Sequence, residues 1–146
     1  MRGLAALLAG HNPPVLYQWH SAAQATDVQH AVEHAGWGFL HLDGWTLEDK
    51  ESFLKAMGSA LTSDEPLPSF DALADRLADV DAPGKRGAVL LWDGWSPLAR
   101  HDDQAFQEAL SVVGDRAHGG GGCPLAVLLR GEGPQLDVPE LPAKAQ

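Results

Sequence analysis

Asp71, Asp75 and Asp79 recur every fourth residue in the segment 69–80, and this spacing is the clearest chemical signal in the chain. On a helix, residues four apart stack on one face, so the three carboxylates share a side. Phe70, Leu73, Leu77 and Val80 fall on the opposite stripe, the pattern of a surface turned toward a core. Like charges at this spacing repel and cost a helix roughly 0.2–0.5 kcal/mol per pair. Asp71 lies near the helix N-terminus, where the backbone dipole favours it; Asp75 and Asp79 do not. Such a stripe is either a solvated acidic face or a carboxylate array held for a cationic partner. The second use has a direct chemical basis. A site that grips phosphate with Arg, Lys and His accepts carboxylates through the same charge-assisted, often bidentate, hydrogen bonds.

A second pattern with possible chemistry is His30-Ala-Val-Glu-His34. Histidines four apart on a helix share a face and could hold zinc, with Glu33 as a base. A third ligand would have to come from elsewhere in the chain, and five residues matching a lax pattern arise easily among seven histidines. Nucleophile elbows, Walker loops and dinucleotide fingerprints are all missing from the sequence. Gly119–Gly122 leads into a strand rather than a helix, so it does not read as a phosphate cradle. Trp37, Trp45, Trp92 and Trp95 stand at strand ends without interleaved basic residues, unlike a base-stacking platform.

Composition narrows the partner. Twenty Asp and Glu against ten Lys and Arg give a net charge of −10 over 146 residues. That balance argues against nucleic acid or an anionic membrane as ligand and suits steering toward a basic protein. Apolar residues make up 45% of the chain, enough for one domain with a real core. The single cysteine, Cys123, excludes an internal disulfide, suits a reducing compartment and reads as a structural thiol. No apolar run approaches the ~20 residues of a membrane span. The first ten residues read as a short surface helix rather than a leader, because His11-Asn-Pro-Pro14 follows instead of a cleavage site. The expected location is the cytoplasm.

The elements that must position these residues alternate in type. Val15–Trp19, Gly38–Leu42, Ala88–Trp92 and Leu125–Leu129 read as strands, the last two continuously apolar. Between them, Ser21 is expected to cap a helix over Ala22–Ala35, and Thr46 one over Leu47–Leu61. The acidic-stripe helix, a short piece opened by Ser96-Pro97, and a helix over Asp103–Ala117 burying Phe106, Leu110 and Val113 complete the pattern. This alternation predicts an α/β fold: a small three- to four-stranded, mostly parallel sheet packed by helices in a single domain, with right-handed crossovers.

Asp-Ala-Leu-Ala-Asp at 71–75, with its amphipathic continuation, resembles the signature helix of the barstar family of intracellular ribonuclease inhibitors. The surroundings are similar in order and spacing. Leu40-His-Leu-Asp-Gly44 and the helix from Thr46 lie upstream; Ala88–Asp93, the helix around Ala105–Ala117 and Cys123–Leu129 lie downstream. Where members of that family usually carry an aromatic-Gly-x-Asn loop, this chain has Glu65-Pro-Leu-Pro-Ser69. Ala74 and Arg76 stand where a large aromatic and a Cys are frequent.

The resemblance spans about Phe39 to Arg130. It implies a strand–helix extension over 1–36 and a barstar-like domain over 37–130; the Pro-rich composition after Arg130 reads separately as a mobile tail over 131–146. It further implies a non-enzymatic, bacterial-type immunity protein without cofactor or metal, monomeric when free, that blocks the active site of a small basic ribonuclease. Asp71 and Asp75 would be the central contacts and Asp115 a third acid. Asp79 and Glu65 would lie at the rim, and Ala74 and Val80 would supply apolar contact. Two alternatives stand beside it. One is a divergent acidic interaction module that no longer inhibits a nuclease; the other is a small zinc hydrolase using His30, Glu33 and His34.

Overall fold

The computed structural model describes residues 2–61, 67–80, 83–119, 123–133 and 135–141. In chain order the elements are α1 (Arg2–Leu8), β1 (Leu16–Gln18), α2 (Ala25–His34), β2 (Gly38–Asp43), α3 (Lys50–Ala60) and α4 (Phe70–Ala78). They continue with β3 (Ala88–Asp93), α5 (Ser96–His101), α6 (Asp103–Gly119) and β4 (Leu125–Arg130). The four strands form one all-parallel sheet in the order β1-β4-β3-β2. Every position of β3 is buried, as are the first five of β4, which is why these strands lack polar alternation. β2 lies at an edge and is correspondingly half-exposed.

Alternate residues of β3 enter two cores. Ala88, Leu90 and Trp92 face the larger one, built with Phe53, Met57, Leu73, Leu77, Leu98 and Phe106 from α3, α4, α5 and α6. Val89 and Leu91 face the smaller one, closed by Leu4 and Leu7 of α1 and Val28 and Val32 of α2. The β2–β3 and β3–β4 crossovers step one way across the sheet with helices on the larger-core face. The β1–β2 crossover steps back across the whole sheet and carries α2 on the other face. Reversing both direction and face keeps one hand for all three crossovers, as strand twist requires.

Two helix starts differ from the sequence expectation. α3 is capped by Asp49, not Thr46: its carboxylate accepts from the Ser52 backbone N–H at 2.8 Å, and Ser52 Oγ accepts from the Asp49 N–H. The residues before it turn instead, with Leu47 N–H donating to the Gly44 carbonyl. α2 begins at Ala25, and the Ser21 hydroxyl accepts from the Ala23 N–H instead of capping a helix from Ala22. The Ser21 and Ala23 carbonyls are taken by the Arg130 guanidinium, so this stretch stays out of the helix. Residues 138–141 return beside β1, where Gln18 N–H donates to the Pro139 carbonyl and Leu141 N–H to the Gln18 carbonyl. Val138 and Leu141 are buried there.

Candidate functional site

α4 is fastened along its whole inner side. Ser69 caps it, its hydroxyl accepting from the Ala72 N–H at 3.1 Å. Phe70, Leu73 and Leu77 are buried, with the Phe70 ring 6.1 Å from that of Phe53 and the Lys50 ammonium 5.2 Å from its centre. The helix packs between α3 and α6. At its far end the buried guanidinium of Arg116, on α6, takes three carbonyls. Nε donates to Leu77 at 2.7 Å, and Nη2 donates to Val80 at 3.2 Å and to Cys123 at 2.7 Å. A cation at a helix C-terminus also complements the dipole.

The outer side carries the acids. Asp71, Ala74, Asp75 and Asp79 are all exposed, and none of the three aspartates has an ion-pair partner among the described residues. Asp115 is exposed on α6, one residue before Arg116, which reaches the C-terminal end of α4. Val80 is half-buried against the larger core, and Glu65 lies outside the described residues. The exposed carboxylates thus lie on two helices that pack against each other.

His30 and His34 are exposed on α2 with their rings stacked, centroids 6.4 Å apart. Among the described residues no group of three His, Cys, Asp or Glu side chains is placed to hold a metal.

Sequence reasoning missed two charged clusters. Arg116 follows Val113 by three residues, so a cation on the buried stripe of α6 was the available signal. The other cluster closes the carboxyl ends of the strands, where Asp93 and Arg130 are in register on β3 and β4. Arg130 Nε donates to one Asp93 oxygen and Nη2 to the other at 3.0 Å, while His41 Nε2 lies 2.9 Å from that second oxygen. Burial pushes the Asp93 carboxyl up, but hydrogen bonds and charge from Arg130 and His41 outweigh it and hold the group below the ordinary carboxylate value.

A family model described as Barstar (barnase inhibitor) matches residues 37–130. The chain belongs to the Barstar family. The match begins at the smaller-core residue Trp37 and takes in β2, the acidic-stripe helix, β3, α6 and β4, leaving α1, β1 and α2 outside it. At the level of the family this carries a barnase-inhibitor-like role, and Barstar members are inhibitors rather than enzymes. Curated proteins include no match to the chain. Among the described residues, no helix is long and apolar enough to cross a membrane.

Proposed function

We propose that this chain, a monomer when free, is a cytoplasmic, immunity-type inhibitor that binds a small basic ribonuclease and occludes its active site with the outer face of α4. Residues 37–130 form the inhibitory unit, and 1–36 are an added module. Asp71 and Asp75 meet the cations that otherwise hold RNA phosphate. Asp115 adds a third acid, Asp79 and Glu65 lie at the rim, and Ala74 and Val80 provide apolar contact. The observation that carries this reading is the contrast across α4: a side fixed by Leu73, Leu77 and Arg116, and a side of carboxylates with no ion-pair partner among the described residues. A preorganised array loses little side-chain and backbone freedom on docking, and charges that match only one partner give specificity.

The test is Asp75→Ala, measured for affinity against the ribonuclease that co-precipitates with the protein and for stability by urea denaturation. The expected loss is ~2 kcal/mol or more in binding, a hot-spot magnitude drawn from interfaces in general, the type complex of this family among them. Stability should hold, because the side chain is exposed and its removal relieves repulsion along the stripe. Wild-type affinity in that variant would place the inhibitory surface elsewhere. Co-precipitation of no ribonuclease would instead favour the divergent interaction module without nuclease inhibition.

A further inference from the structure

A cleft of about 480 Å³ opens at the carboxyl ends of the strands, and none of its lining residues lies on α4 or α6. It sits at a switch point of the topology. The chain leaving β1 turns toward the smaller-core face and the chain leaving β3 toward the larger-core face, with β4 ending between them. Crevices of this kind are where open parallel sheets take ligands.

It is lined by the Asp93–Arg130 ion pair and by Trp19 and Trp45. Trp45 is the exposed large apolar side chain among the described residues, at 55% of its full accessibility. The indole is nevertheless tightly seated. Gly94 has φ +68°, and a Cβ there would come 2.5 Å from Trp45 Cδ2; the far edge of the ring lies 3.5 Å from the corresponding point on Gly131. Two glycines thus let the ring lie against the turns leaving β3 and β4. An aromatic face is held in place before anything binds.

The charges select the ligand. Arg130 cannot readily grip an anion, because its nitrogens are engaged by both Asp93 oxygens and by the Ala23 and Ser21 carbonyls. It also lies 5.4 Å from the Trp19 ring centre. His20, the other base in the cleft, faces Glu140 at 3.2 Å. Glu132 has no ion-pair partner among the described residues. What remains uncompensated is one carboxylate in the same cleft as an open indole face, in a protein of net charge −10. Indole faces attract cations, and guanidinium and ammonium groups most usefully.

We propose that this cleft is a second binding site, separate from the α4 face, that takes an organic cation of the guanidinium or alkylammonium class on Trp45 with Glu132 as counter-charge. The ligand is either an arginine side chain of a polypeptide or a free polyamine; the recognition chemistry is the same.

The experiment follows the five tryptophan indole N–H signals of the full chain by ¹⁵N NMR, with Trp45 assigned from Trp45→Phe. Arginine ethyl ester, the tripeptide Gly-Arg-Gly and spermidine are titrated at constant ionic strength, with phosphate as the anion control. The Trp45 signal should shift saturably with the cations and not with phosphate. Glu132→Gln should weaken that binding at least threefold without moving the urea midpoint, and Trp45→Ala should abolish the accompanying shift of Trp19. Tighter binding of the tripeptide identifies a polypeptide arginine; tighter binding of spermidine identifies a polyamine. A response that never saturates, that is unchanged in Glu132→Gln, or that phosphate reproduces would overturn the proposal. No ribonuclease enters the assay, so its outcome is independent of the inhibitory reading of α4.

Discussion

Arg116 is the side chain whose removal should most sharply separate the fold of the acidic-stripe helix from its surface. It is 5% exposed and ties the end of α4 to the turn before β4 through three carbonyls. Replacing it with Met keeps most of the aliphatic stem and removes every donor. The Leu77 carbonyl would still accept from the Val80 N–H, and among the described residues the Val80 carbonyl would keep a 3.7 Å contact from Cys123 Sγ. The Cys123 carbonyl would lose its bond to Nη2. Each of these part-buried carbonyls left without Arg116 costs up to ~1–3 kcal/mol, and loss of the cation at the helix end adds ~0.3–1 kcal/mol. Relief of the desolvation of a buried guanidinium offsets part of this. The expected net loss for Arg116→Met is therefore about 2–4 kcal/mol, a large share of the ~5–15 kcal/mol that holds a domain together. Arg116→Ala should lose about 1 kcal/mol more through the missing stem. Arg116→Lys should fall between wild type and Met, since one ammonium cannot span carbonyls that a planar fork reaches together. Urea denaturation at a single temperature, with the slope checked for constancy, measures all three. If Arg116→Met loses less than about 1 kcal/mol, the three bonds do not fasten α4 as the geometry indicates.

Leu73→Ala should cost ~2–5 kcal/mol of folding free energy by opening a cavity at a fully buried position, read from the same denaturation curves, while leaving the acidic face chemically intact. The folded-state pKa of Asp93 is depressed, so the stability it contributes is present above the unfolded value and is lost as pH falls through the folded one. Wild-type stability should accordingly drop below about pH 4, and Asp93→Asn should flatten that part of the profile. Association with the ribonuclease should slow as ionic strength rises, with kon affected more than koff, because screening acts on steering before contact; a kon flat between low and physiological salt in stopped flow would exclude steering by the stripe.

Much of α4 is legible from its residues. The apolar spacing of Phe70, Leu73 and Leu77 and the intervening aspartates identify both its faces, because helical periodicity is a local property. The apolar runs 88–92 and 125–129 likewise announce buried parallel strands, and both are found at the sheet centre. Helix starts are less secure. The Asp49–Ser52 box displaces Thr46 as a cap, and a guanidinium from the far end of the chain holds Ser21 and Ala23 outside α2.

Other features depend on positions far apart in the chain. That β1 lies beside β4 rather than β2, that Asp93 and Arg130 come into register, and that Arg116 meets the end of α4 are all long-range pairings. A charge at the end of an apolar run announces an unusual burial without naming its partner. Local spacing sets which face of an element is apolar, since it depends only on the geometry of one helix or strand. Which faces and ends meet is decided by packing all of them around one sheet, and the buried charges find their partners only then.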